Sequence, residues 1–205
     1  MDSNYSAEFL QETVEILGRA DISSVEAVVA LLANTRSRGG RLFLCGSGGG
    51  AGHASHATCD FRKMAGFEAY CVTDNVSELT ARTNDEGWDV AYSNWLLGSR
   101  IGRDDCLFVF SVGGGDVERN VSVNLVNAMR VARAAGAAVT GIVGRDGGEL
   151  ARVADCCIVI PPGRSDTVTA QTEALQALFW HLIVTHPSLC ENAPHWESLT
   201  TEIRL

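Results

Sequence analysis

Two short stretches of the chain carry side chains whose types and spacing suit acid–base or metal chemistry. In "GHASHATCD" the residues His53, His56 and Asp60 fall at i, i+3 and i+7, on one face of a helix. His56 and Asp60 have the i, i+4 spacing of helical metal-binding pairs. In "TEALQALFWHLI" Glu173 and His181 lie about two helical turns apart and can share a broad face. Imidazoles and carboxylates bind divalent metals and also exchange protons near neutrality. Each pair alone equally fits an ordinary helix surface, and a single cleft bordered by both helices would decide for chemistry.

Two glycine-rich turns accompany these pairs. Gly46-Ser47-Gly48-Gly49-Gly50 follows the apolar run "RLFLC" and precedes the helix of His56. Glycines let backbone N–H groups approach a ligand closely, and the next helix turns its positive end to the same place. That combination suits a phosphate, although the Gly-Lys-Ser/Thr of a nucleotide P-loop is absent. Ser111-Val112-Gly113-Gly114-Gly115-Asp116 forms a second such turn, with Asp116 read as the N-cap of the following helix. A third, Gly144-Arg145-Asp146-Gly147-Gly148, reads as mainly structural.

The elements that must position these residues follow from hydrophobic patterning. Strand-length apolar runs occur at 41–45, 69–72, 106–111, 137–143 and 156–160. Between them lie helical segments at 51–64, 76–99 (broken near Gly87), 117–135, 147–153 and 167–186. Two helices precede the first strand, the second capped by Asp21 or Ser23. Strands apolar throughout and separated by helices predict an α/β fold, a doubly wound three-layer sandwich on a five-stranded parallel sheet. Ligands bind such sheets beyond the carboxyl ends of the strands, where the glycine-rich turns lie. We divide the chain into a helical arm (1–38), a core (39–187) and an irregular tail (188–205). That tail, with Pro194 and Trp196, is expected to pack back on the body.

Composition narrows the function. The 205 residues are 46% hydrophobic and 20% charged, as in a globular domain, and the net charge of −9 disfavours nucleic acid as a partner. An anionic substrate stays possible, because a local site can be positive on an acidic protein. No apolar run is long enough for a membrane span, and the acidic, helix-patterned N-terminus does not read as a signal peptide. The seven cysteines include no CxxC pair. Cys45, Cys71, Cys106, Cys156 and Cys157 read as small buried apolar residues, and free thiols suggest a cytoplasmic location.

The stretches "CGSGGGAGHASHATCD", "LTARTNDEGWD", "FSVGGGD", "GIVGRDGGELARVADCCIVIP" and "TEALQALFWHLI" together resemble the SIS (sugar isomerase) family, and most closely its phosphoheptose isomerases. The resemblance runs from the N-terminal helices to about Pro187 and implies a single SIS domain. It also implies conversion of sedoheptulose 7-phosphate to D-glycero-D-manno-heptose 7-phosphate, a homotetramer with sites between subunits, and zinc. Position by position, it implies metal ligation by His56, Asp60, Glu173 and His181. It assigns sugar and phosphate contacts to Ser47, Gly48, Gly49, Asn84, Asp85 and the turn Ser111, Val112, Gly113 to Asp116, with Glu173 also facing substrate. In the mechanism so implied, Asp60 takes a proton from the carbon beside the carbonyl. A cis-enediol forms, and His181 is the acid/base partner.

Three departures from the family pattern stand out. Its usual Glu is Asp60, one methylene shorter, and its usual Gln is Glu173, which adds negative charge. Its hydroxyl-rich Ser-Thr-Ser-Gly-Asn-Ser turn becomes Ser111–Asp116, which has lost most of its hydroxyls and gained a carboxylate. Asp116 would repel a phosphate, with His53 a candidate compensating cation. Two further readings therefore stay open: an isomerase of a different phosphorylated or nucleotide-linked sugar, and a non-catalytic SIS module such as those that bind a replication initiator.

Overall fold

The computed structural model describes residues 4–192. Helices α1 (Tyr5–Gly18) and α2 (Ile22–Ser37) precede β1 (Leu42–Gly46), α3 (Gly49–Lys63) and β2 (Ala69–Cys71). Next come α4 (Val76–Asp85), α5 (Trp88–Gly98), β3 (Cys106–Ser111), α6 (Val123–Ala134) and β4 (Ala138–Val143). The chain continues through α7 (Gly148–Val153), β5 (Ile158–Val159) and α8 (Val168–Thr185). Asp21 is the cap of α2: its carboxylate accepts a hydrogen bond from the Ser23 N–H at 2.9 Å.

The five strands pair in parallel, in the order β2-β1-β3-β4-β5. Direction reverses at β1 and β3, so the turns after these two strands flank the switch point, as the sequence predicted. Side chains alternate between the faces. Leu42, Leu44, Phe108, Phe110 and Ile142 join a core with α2, α3 and α8. Phe43, Cys45, Leu107, Val109 and Val139 join a second core with α5 and α6. Each fully buried side chain of this size contributes about 1.5–3 kcal/mol. Two buried layers explain why the strands read as unbroken apolar runs.

Two sequence expectations need correction. Helix α6 begins at Val123 rather than 117. Residues 116–121 instead form a small hairpin, in which Asp116 and Val121 exchange backbone hydrogen bonds of 2.9 and 2.8 Å. Asp116 therefore caps no helix; its carboxylate accepts from the Arg119 N–H inside the hairpin at 3.0 Å. The physical reason is local: Gly114, Gly115, Asn120 and Ser122 all take positive φ, which a helix cannot hold. The start of the tail does pack on the body. Leu189 is buried, and the Arg36 guanidinium donates to its carbonyl. Pro194 and Trp196 lie outside the described residues.

The cysteines are all free. Cys45, Cys71 and Cys106 are buried as expected, and Cys156 and Cys157 are half-buried. Burial pushes the Cys71 thiol up to about 11, which leaves it an inert packing residue.

Candidate active site

The turn after β1 is built for close approach. Gly48 has φ +59 and opens α3. At Gly46 and Gly50 there is no room for a Cβ, because the helix start packs directly on the strand ends. The Tyr92 hydroxyl donates to the Gly46 carbonyl at 2.9 Å, and the Asn124 side-chain amide donates to Ser47 Oγ at 3.2 Å. Ser47 is thereby held with its hydroxyl at the surface of the turn. Neither Tyr92 nor Asn124 carried a sequence signal, since both act through tertiary contacts.

Helices α3 and α8 lie side by side and run the same way from the carboxyl edge of the sheet. Gln176 fixes α8 in place: its amide donates to the carbonyls of Ser111 (3.0 Å) and Ile142 (3.1 Å), at the ends of β3 and β4. That registration brings His56, Asp60 and His181 together. Asp60 Oδ2 is 3.8 Å from Nε2 of His56 and 3.8 Å from Nε2 of His181. One ligand atom from each residue fits within a 4.8 Å group.

Both imidazoles rest on Trp180, a residue the sequence reading did not single out. His181 stacks on it with centroids 3.5 Å apart, and His56 meets it edge-on at 4.8 Å. The indole is 1% exposed, so it is a fixed platform for two exposed rings. His181 Nδ1 lies 2.7 Å from the Ala177 carbonyl. Donation of Nδ1–H to that carbonyl leaves the Nε2 lone pair directed at Asp60, the outer-shell arrangement typical of metal-binding histidines. The 3.8 Å separations lie close to the edge of a tetrahedron with metal bonds of about 2.1 Å, roughly 3.4 Å. Two imidazoles and one carboxylate so placed are a group that could hold a metal ion.

Glu173 does not join this group. Its carboxylate lies over Gly49, 2.6 Å from where a Cβ there would stand. That places it at the first turn of α3, the end of a helix that attracts an anion. The four-ligand expectation thus becomes a three-residue group with Glu173 closer to the turn. His53 sits between the two. Burial pushes its pKa below the usual histidine value of 6.5, with Glu173 opposing the shift. It is therefore a poor candidate for the compensating cation.

The other expected contacts divide. Ser47, Gly48 and Gly49 line the first turn. Ser111 is buried, and its hydroxyl accepts from the Gly114 N–H at 2.9 Å, so it holds its own turn in shape. Val112 and Gly113 are half-buried at the same rim, and Asp116 is engaged in the hairpin with Arg119. Asn84 and Asp85 stand exposed at the end of α4, bonded to each other at 2.7 Å.

The sequence and the fold both match known proteins. The family model described as "SIS domain" matches residues 5–144. The chain is 38% identical over 167 residues to lincomycin biosynthesis protein LmbN of Streptomyces lincolnensis, covering 76% of this chain and 59% of that one. It thus spans less than two thirds of that relative's length. It is 32% identical to the phosphoheptose isomerase of Rhodospirillum rubrum, covering 82% of this chain and 85% of the relative. The structure of phosphoheptose isomerase GmhA from Neisseria gonorrhoeae superposes with a TM-score of 0.75 at 24% identity, over 89% of this chain and 94% of that one. The chain belongs to the SIS domain family. Within that family, its matches extending over most of both partners include phosphoheptose isomerases, at 32% identity for Rhodospirillum rubrum and 29% for Aliarcobacter butzleri.

Proposed function

We propose that the protein is an aldose–ketose isomerase that interconverts sedoheptulose 7-phosphate and D-glycero-D-manno-heptose 7-phosphate. The observation that carries this reading is the convergence of His56, Asp60 and His181 from α3 and α8, the two helices that also bring Glu173 over Gly49 of the glycine turn. Seven residues of α3 separate Gly49 from His56, about 10 Å along the helix. That separation is comparable with the length of an extended sugar phosphate, whose phosphate would lie at the turns and whose reacting carbons would lie at the group.

Asp60 takes the C1 proton of the open-chain ketose and returns it to C2. His181 moves the hydroxyl protons, protonating O2 as the enediol forms and accepting the proton of O1 as the aldehyde forms. Ser47 and the backbone of Gly48 and Gly49 orient the substrate, and Glu173, over Gly49, faces its phosphate end. His56, Asp60 and His181 would hold zinc through a weak or shifting contact, which leaves Asp60 and Nε2 of His181 free for the proton transfers. As a Lewis acid it would stabilise the negative charge that develops on the substrate oxygens. A homotetramer in the cytoplasm completes the reading. In its favour, α4 has no buried residue, and Leu10, Val14 and Val76 expose over 60% of their surface. No described helix is long and apolar enough to cross a membrane.

The test is to follow aldose formation from sedoheptulose 7-phosphate by NMR, before and after chelation and with zinc restored. Loss and recovery support the full reading. Indifference to chelation removes the metal, and absence of turnover removes the substrate. Two observations favour a related substrate as second reading: the hairpin-bearing loop from Ser111 to Ser122 departs from the family turn, and a 38% identical relative is named for lincomycin biosynthesis.

A further inference from the structure

A phosphate at this site meets mostly negative neighbours. Asp60, Asp116 and Glu173 are acidic, and two of the loop arginines are committed elsewhere. Arg119 pairs with Asp116 at 3.6 Å, and Arg164 is shared among Glu8, Glu12 and Asp166. Arg145 differs. It stands in the turn after β4, is exposed, and its guanidinium forms no ion pair or hydrogen bond among the described residues. The adjacent Asp146 is occupied locally, accepting from the Gly148 N–H at 3.2 Å.

The turn that carries Arg145 is locked to the glycine turn after β3. Gly144 N donates to Val112 O at 3.1 Å, Leu150 N to Gly114 O at 3.1 Å and Glu149 N to Gly115 O at 3.1 Å. Arg145 is held at φ 53, and its Cδ lies 3.9 Å from the position a Cβ would take at Gly113. Its stem therefore leans over the residue that replaced a family hydroxyl. The Gly113 N–H donates to no protein acceptor among the described residues. An unpaired guanidinium whose stem lies beside a turn with a free backbone N–H can bind a phosphate with several charge-assisted hydrogen bonds.

We propose that Arg145 is the phosphate-binding cation of this site, supplying from the β4 turn the contacts that the hydroxyl-poor β3 turn cannot make. The inference rests on the phosphosugar reading above. It adds a specificity residue: Arg145 selects phosphorylated over unphosphorylated substrates.

Inorganic phosphate binding provides a test independent of turnover. Asn tolerates the left-handed backbone at this position, so R145N removes the charge without adding strain, and R145K keeps it. Phosphate titrations followed by calorimetry and 31P NMR should show binding weakened at least about tenfold in R145N and partly restored in R145K. KM for the sugar phosphate should rise by a similar factor, with kcat within about twofold of the parent. Equal phosphate affinity in R145N and parent overturns the proposal, as does a parent protein that binds no phosphate. Arg145-dependent phosphate binding without sedoheptulose 7-phosphate turnover sustains it and refutes the isomerase reading instead.

Discussion

Asp60 on α3 and His181 on α8 face each other, with Oδ2 and Nε2 3.8 Å apart, although they lie far apart along the chain. The contact exists because Gln176 clamps α8 to the ends of β3 and β4. Any change that unseats that clamp separates the pair without touching either residue.

The first prediction concerns the pair itself. D60N and H181A should each lower kcat/KM by at least about a thousandfold, with unchanged circular dichroism. Steady-state kinetics on the sugar phosphate checks this, and a rate near that of the parent in either variant would remove the residue from the mechanism.

Metal binding separates the residues differently. H56A, D60N and H181A should each lose zinc on dialysis, while E173Q should retain it, because Glu173 lies over Gly49 and outside the three-residue group. Metal analysis by emission spectroscopy reads the outcome directly. Zinc loss in E173Q would show that its side chain swings down to the group.

Glu173 should instead oppose anion binding. Its carboxylate occupies the positive end of α3. E173Q is expected to strengthen competitive inhibition by inorganic phosphate by roughly three- to tenfold, with a small loss of thermal stability of about 0.3–1 kcal/mol. Weaker inhibition would place the carboxylate away from the phosphate.

A stability prediction falls far from the site. Glu12 on α1 accepts hydrogen bonds from the Arg164 N–H, Thr167 hydroxyl and Gln171 amide, tying the helical arm to the loop before α8. The Arg164 backbone bond leads in holding its pKa below the usual 4.5, against the opposing effect of burial. A carboxyl with a lowered folded pKa stabilises the fold above its unfolded pKa, and that contribution is lost as pH falls through the folded value. E12Q should therefore melt roughly 3–6 °C lower at pH 7, with the gap closing below about pH 4. Thermal melts across pH check it, and a gap that persists at low pH would assign the effect to packing.

Much of this protein was legible in its sequence. The period-free apolar runs at 106–111 and 137–143 read as strands buried on both faces, the composition of a parallel sheet covered by helices. The spacing of His56 and Asp60 placed both on one helical face, since a fixed 3.6-residue period leaves no alternative. Local pattern failed where local signals conflicted. Asp116 looked like a helix cap, yet Gly114, Gly115, Asn120 and Ser122 turned the chain into a hairpin first.

What only the tertiary structure decided is how separate elements meet. The carboxylate of Glu173 had the right spacing from His181 to ligate a metal with it, yet it lies over Gly49 at the start of α3, a placement set by how the two helices pack. Trp180 became the platform for two imidazoles, and Asn124 the support of Ser47, through contacts between residues far apart in the chain. Sequence thus determined the elements and which face each residue occupies, because backbone periodicity is local. The packing of α8 against α3 and of the β4 turn against the β3 turn assembled the site, because side-chain distances across elements are set by the whole core.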